Sequence, residues 1–297
     1  MRPVAIVTDS TADLPSEYLD SHGISSVPLI VTYQHKEYLD GIDITASELY
    51  RRMKEEKAVF TTSQPSVGAF EEVYRALLKD SEQILSIHIS SGLSGTVAAA
   101  ESAAENVGRD RIIVYDSKGT SAFLGILVQV AAALIEQGAT VAEAIEHLDR
   151  IRQSMQGIFT LPTLEYLSRG GRIGAASAFL GSVLQIKPVL ALDREGKIVP
   201  LERIRTFSRA VSRLEEIVKA TADVHGEVYA GVAHADAEQT ALGIASAIHK
   251  LCKSVSIVQI GPVVGSHMGP GSVGICFVPA ASVPIELELV NQLSFAT

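Results

Sequence analysis

A chain of 297 residues, 47% hydrophobic yet only 5% aromatic, has the length for two α/β domains with aliphatic cores. Its 34 acidic against 25 basic residues give a net charge of −9, which excludes a general affinity for nucleic acid and leaves room for no more than transient contact with an anionic membrane. The two cysteines, Cys252 and Cys276, show no metal-like spacing and the eight histidines form no ligand pair, so a reduced, cytoplasmic, metal-free setting is expected. No signal-peptide core precedes the first strand pattern, and the apolar run from Ala122 to Ile135 falls short of the roughly 20 residues that span a bilayer.

The first half alternates strands and helices. Val4-Ala5-Ile6-Val7 is an unbroken apolar run, as in a strand buried on both faces, and it ends in Thr8-Asp9-Ser10-Thr11. A second strand is predicted over Val27 to Tyr33. Thr45-Ala46-Ser47-Glu48 is a capping-box pattern that opens a helix to about Glu55. Another helix is expected from Ser66 to Lys79, then a strand from Ile84, an alanine-rich helix after Ser94, and a strand over Arg111 to Tyr115. Helices over Ser117 to Gln137 and Val141 to Gln153 complete this half. The alternation implies a mostly parallel sheet flanked by helices, with ligands beyond the strands' C-terminal ends.

The second half changes character. Apolar runs at Pro188 to Asp193 and Lys197 to Leu201 flank Arg194-Glu195-Gly196, a hairpin signal. Helices over Phe207 to Ala222 and Ala237 to Cys252 alternate with strands at Val228 to Ala233, Val255 to Ile260 and Val273 to Val278. This predicts an α+β domain with an antiparallel or mixed sheet, and the boundary falls near Gly157: residues 1–156 form one domain and 157–297 the other.

Polar clusters at strand ends are the candidate sites. Every strand-to-helix turn takes an N-cap, which accounts for Asp9, Ser10 and Ser117, while Asp40, Asp43 and Asp116 suit turns and caps better than a carboxylate cluster. Ile89 to Thr96 is richer. With no lysine between Lys79 and Lys118 it is no phosphate loop, and Gly92-Leu93-Ser94-Gly95-Thr96 carries Thr where a nucleophile elbow needs Gly. Two readings remain open: plain capping, or a helix N-terminus whose amides at Gly95 and beyond join the Ser94 hydroxyl in holding one carboxylate, with Thr62 as second partner. His267 lies among glycines in Gly265 to Gly271, which reads as a loop able to bring an imidazole to a ligand. Arg169-Gly170-Gly171-Arg172, with Arg203 and Arg205 further on, is either a solvated loop or a basic clamp for phosphate or an acidic partner.

Taken together, Val4 to Leu14, Asp40-Gly41, Thr62-Ser63-Gln64-Pro65-Ser66, Ser90 to Thr96, Tyr166 to Ile173 and Gly265 to Gly274 resemble the DegV family, in that family's order and over nearly the whole chain. The resemblance implies a long-chain fatty acid buried between two domains. It also implies a non-enzymatic subunit that presents the acyl carboxylate to a separate ATP-dependent fatty acid kinase, which forms the acyl phosphate for phospholipid synthesis. Thr62, Ser94 and His267 match the family's head-group residues, with Thr61 an adjacent hydroxyl, and Arg172 matches a loop implicated in exchange or partner contact. No cofactor or metal is implied beyond the bound acid. Aliphatic segments at Phe159-Thr160-Leu161 and Ala175 to Leu184 are candidates to line the acyl tunnel. The competing reading from the residues is a serine hydrolase or acyltransferase with Ser94 as nucleophile and His267 as base.

Overall fold

The computed structural model describes residues 2–179 and 186–290. Strand β1 (Arg2–Asp9) leads through a short 3-10 turn and helix α1 (Ser16–His22) to β2 (Ser25–Val27), which pairs with it in parallel. Here the single strand predicted over Val27 to Tyr33 divides. Pro28 has no N–H to continue a ladder, and the chain leaves the parallel sheet to form β3 (Ile30–Tyr33). A two-residue turn with both Gln34 and His35 at positive φ returns it as β4 (Lys36–Leu39), a hairpin that sequence patterning missed because neither residue is Asn or Gly. Helix α2 (Ala46–Glu55), capped by Thr45 as expected, then leads to β5 (Thr61–Ser63), and β5 joins β3 to complete a three-stranded antiparallel sheet in the order β4-β3-β5.

Helix α3 (Val67–Leu77), β6 (Ser81–His88), α4 (Thr96–Val107) and β7 (Ile112–Asp116) finish the parallel sheet, whose order is β2-β1-β6-β7. Ala5, Val7, Ile84 and Leu85 are buried within it, as the apolar runs require. Helices α3 and α4 cover one face with Phe70, Tyr74 and the alanines of α4, while the other face packs on α5 (Ala122–Glu136). Helix α5 starts later than its pattern suggested, because Lys118 and Ser121 both hold positive φ in the turn before it.

After α6 (Val141–Ser154) comes a strand not predicted, β8 (Gln156–Thr160), then α7 (Glu165–Arg169), the hairpin β9 (Val189–Leu192) and β10 (Ile198–Glu202), α8 (Phe207–His225), β11 (Val228–His234), α9 (Glu238–Ile248) and β12 (Cys252–Gln259). Helix α10 (Pro262–Met268) and β13 (Val273–Pro279) follow. The six strands form one mixed sheet in the order β10-β9-β8-β13-β11-β12, antiparallel except between β11 and β12. Helices α8 and α9 bury one face; α5 lies against the other, where a Cβ on Gly231 would stand 2.8 Å from that of Ala122.

One expectation is corrected here: His267 sits on α10, not in a loop. Pro262 occupies the first turn, which suits it. Gly265 is there because Tyr50 crosses the helix; a Cβ would meet the Tyr50 hydroxyl at 2.4 Å. Gly269, at φ +76°, ends the helix.

Candidate functional site

Thr62, Ser94 and His267 come from three elements separated by up to 205 positions, yet all three line one cavity of about 280 Å³. Thr62 stands on β5, Ser94 in the turn before α4, and His267 on α10. The Thr62 Oγ1 and His267 Nε2 atoms are 2.7 Å apart. Gln64 packs against the backbone beside Ser94: a Cβ on Gly95, the N-cap of α4, would lie 2.2 Å from the Gln64 Oε1. Ser94 Oγ in turn lies 2.9 Å from Thr96 Oγ1 and accepts from the Thr96 amide at 3.3 Å, so the hydroxyl is tied to the first turn of α4.

Helix α10 is held by carboxylates at its N-terminus. Asp13 accepts the Gly261 amide at 3.0 Å and Asp40 the Val263 amide at 3.3 Å, while the Tyr50 hydroxyl donates to the Ile260 carbonyl at 2.8 Å. Ser121 donates to Asp13 and Ser10 to Asp40. Burial without a cationic partner raises both acids: Asp13 well above the usual range, Asp40 to about 6, with the neighbouring Asp9 adding to each. Asp40, Asp43 and Asp116 therefore form no common cluster. Asp43 accepts the Leu39 amide and Asp116 pairs with Lys118.

The arginine loop meets the same site. Gly170 lies against His267; a Cβ there would stand 2.0 Å from Nδ1. Arg172 lines the cavity and donates from Nε to the Leu93 carbonyl at 3.1 Å and from Nη1 to the Gly170 carbonyl at 2.8 Å. Burial, then the nearby Arg172 charge, holds the His267 pKa down at about 4, so the imidazole is neutral at pH 7. Its Nδ1 is buried with no hydrogen-bond partner among the described residues. The other arginines are outside the cavity. Arg169 is exposed and paired with Glu165, Arg203 is exposed above the Phe179 ring, and Arg205 is exposed.

Apart from these polar groups and Ser63, Thr120 and Ser121, the walls are aliphatic and aromatic, with Leu29, Ile89, Phe123, Ile158, Leu192 and Val263 among them. Of the expected lining segments, Phe159 contributes, whereas Leu161 and Ala176 belong to an adjacent packed cluster; Leu180 to Leu184 lie outside the described residues. Sequence reasoning missed Phe123 and Asp13, while Asp40 was read as a turn or cap residue and does cap α10; that Asp13 and Asp40 meet this helix is marked by nothing local, since their partners Gly261 and Val263 lie 248 and 223 positions away.

The pair needed for nucleophilic catalysis is not assembled: His267 bonds Thr62, and Ser94 bonds Thr96. A Ser-His-Asp sequence of contacts does exist elsewhere. Asp9 Oδ2 is 3.0 Å from His88 Nδ1, and His88 Nε2 is 2.6 Å from Ser86 Oγ, which continues to the Tyr74 hydroxyl at 2.8 Å. All four side chains have no solvent exposure, so this chain ties β1 to β6 and α3 and cannot reach a substrate.

The comparisons with known proteins bear on the family and the fold. The DegV family model, described as an uncharacterised protein family, matches residues 3–280. The chain belongs to the DegV family. It is 35% identical to Protein DegV of Bacillus subtilis (strain 168) over 92% of this chain and 98% of that protein. A DegV domain-containing protein of Deinococcus radiodurans is 36% identical over 94% and 99%. Among solved structures, a fatty-acid-binding DegV family protein from Thermus thermophilus superposes with a TM-score of 0.88 at 35% identity, over 94% of this chain and all of that one. DegV of Bacillus subtilis, a fatty acid binding protein, gives 0.85 at 35% identity over 94% and 99%. A stearic-acid-binding protein from Eubacterium ventriosum gives 0.85 at 28% identity over 93% and 98%.

Proposed function

We propose that this DegV family chain binds a long-chain fatty acid and hands its carboxylate to a separate kinase. The observation that carries this reading is the Thr62–His267 pair, set beside Ser94 in the wall of a mostly apolar cavity. With His267 neutral, the tautomer protonated on Nε2 donates to Thr62 Oγ1 and frees the Thr62 O–H to donate to a carboxylate. Ser94 and the first-turn amides of α4, from Gly95 onward, supply further donors. Ten methylenes buried at roughly 0.8 kcal/mol each contribute about 8 kcal/mol before ordering costs, which is enough to offset desolvation of a head group with convergent donors.

No lysine or arginine lies in either hydroxyl motif, and the described Arg172 bonds go to backbone carbonyls. A carboxylate held by neutral dipoles keeps a nucleophilic oxygen for a phosphoryl donor. In this reading the chain is not itself an enzyme. An ATP-dependent kinase subunit forms the acyl phosphate for phospholipid synthesis, and Arg169, Arg172, Arg203 and Arg205 face that partner in the cytoplasm. Residues 1–156 and 157–297 act as the two domains that enclose the acyl chain.

Mass spectrometry of the denatured protein tests the first half: a long-chain acid is released, and a protein that is empty and refuses added acid refutes it. Adding kinase, ATP and fatty acid tests the second half, with acyl phosphate formation dependent on this chain as the expected result. Labelling of Ser94 by a fluorophosphonate would instead support the hydrolase reading.

A further inference from the structure

Ser90 closes the turn that carries Ser94, and it does so with backbone and side chain together. It is fully buried just beyond β6, where its amide donates to the Gly119 carbonyl at 2.8 Å. Its carbonyl accepts the Leu93 amide at 3.0 Å and the Ser94 amide at 3.1 Å, and its Oγ accepts the Gly92 amide at 3.0 Å. A serine that only formed a turn would need no more than these acceptors. The Ser90 O–H has a further partner: it donates at 2.9 Å to the carbonyl of Gly196, 106 positions away at the tip of the β9–β10 hairpin. That tip is fixed from within. Asp193 Oδ1 accepts the Glu195 amide at 3.0 Å and the Lys197 amide at 2.8 Å, and the Asp193 carbonyl accepts the Gly196 amide at 2.9 Å. Gly196 holds φ +70°, and a Cβ on it would overlap Ser90 Oγ and stand 2.8 Å from the Lys118 carbonyl. A Cβ on Gly92 would stand 2.9 Å from the Glu195 carbonyl. The two loops therefore meet backbone to backbone, and Leu192 and Ile198, on either side of the tip, line the acyl cavity.

We infer that Ser90 is a positioning residue of the head-group site: its hydroxyl registers the Ser94 turn against the β9–β10 hairpin, so that seating of the hairpin and alignment of Ser94 toward a carboxylate are one event. The inference rests on the fatty-acid reading above. Its physical ground is the nature of the head-group donors. A hydroxyl and the first-turn amides are neutral dipoles, whose hold on a carboxylate falls off with angle as well as with distance. The amides of α4 are fixed by the helix, whereas Ser94 stands outside it, in the turn after β6. The Gly92, Leu93 and Ser94 amides all end on Ser90, so a shift of the hairpin tip reaches Ser94 through this one residue. Ser90 is not among the residues that line the acyl cavity, and it acts on the ligand only through Ser94. Without its hydroxyl, the Gly196 carbonyl and the Gly92 amide each lose their Ser90 partner, and the turn is released from the hairpin.

Calorimetric titration of palmitate into delipidated full-length protein tests this in a double-mutant cycle. Ser90→Ala should weaken palmitate on the order of tenfold in the native background. In a Ser94→Ala background it should weaken palmitate less than about twofold, because the group that Ser90 aligns is already gone. Equal factors in the two backgrounds would make the hydroxyl a packing group and overturn the inference. So would a Ser90→Ala protein that binds palmitate as the native chain does. Should Ser90→Ala fail to fold, hydrogen exchange on the native chain decides. On adding palmitate, peptides covering 90–95 and 193–198 should gain protection together, and protection confined to 90–95 overturns the inference. Each of these results leaves the fatty-acid reading intact. A native protein that binds no palmitate overturns that reading, and the inference with it.

Discussion

Asp40→Asn tests the cap that holds the His267 helix. Asp40 is 3% exposed, accepts Ser10 Oγ at 2.6 Å and the Val263 amide at 3.3 Å, and has its pKa raised from 3.8 to about 6 chiefly by burial. Between these two values the folded state binds more protons than the unfolded chain, so this group's contribution to stability falls as pH rises. It is fully present below about 3.8 and is lost on passing about 6. A shift of two units at about 1.4 kcal/mol each makes the loss about 3 kcal/mol. Asparagine keeps the shape and one acceptor but does not titrate. The quantity to follow is the difference in unfolding free energy between the native and Asp40→Asn proteins, by urea denaturation from about pH 3.5 to about pH 7. That difference should decline by about 3 kcal/mol across the range, equivalent to about 1 M urea for a slope near 3 kcal/mol per molar. Any constant penalty of the amide cancels from this slope. A difference that stays flat, or that grows with pH, refutes the account of Asp40 as a carboxylate strained by burial.

Three further outcomes follow from the site. Thr62→Val removes one hydroxyl without changing shape and leaves His267 Nε2 unpaired; palmitate affinity should fall by about tenfold, from a loss of about 1–3 kcal/mol, and calorimetry showing no change would remove Thr62 from the head-group site. Gly170→Ala places a Cβ 2.0 Å from His267 Nδ1, so the helix or loop must shift; a destabilisation of about 1–3 kcal/mol with loss of co-purified lipid is expected, and an unaltered melting curve would contradict the contact. Because burial holds His267 at about 4, palmitate affinity should be level between about pH 6 and about pH 8; a histidine-like inflection near 6.5 in that titration would mean the imidazole is charged in the working state.

The parallel sheet was legible because its central strands are buried on both faces and so read as apolar runs, unbroken over Val4 to Val7 and interrupted only by the buried Ser86 and His88 over Ile84 to Ile89. Strand β5 was not, since Thr61-Thr62-Ser63 is three polar residues on an edge, and only pairing with Ile30 to Thr32 makes it a strand. The glycines around His267 misled for a related reason. Glycine reads locally as a loop, yet Gly265 is helical so that Tyr50 can cross it, a demand made from another part of the chain. Thr62, Ser94 and His267 could each be marked as candidates. Their convergence could be expected only from the resemblance of the whole motif series, because local spacing carries no information on contacts between positions 62 and 267.

This division has a physical consequence for how the site is kept in place. Strand β5 is too short to define its own position, and α10 is a helix of only two turns; neither would persist alone. Thr62 is set by β3, and His267 by Asp13, Asp40 and Tyr50, whose acceptors and donor meet the start of α10. Asp13 and Ser121 also join the end of β1 to the start of α5, so the same buried carboxylate ties the imidazole to the parallel sheet. Two raised carboxylates are a cost to stability at neutral pH that apolar replacements would not carry. They do what such replacements could not: each accepts a backbone amide at a helix N-terminus, where the dipole favours negative charge and fixes direction as well as distance. A head group held by neutral donors depends on orientation more than on charge. The stability forgone at Asp13 and Asp40 therefore serves the alignment of His267 with Thr62.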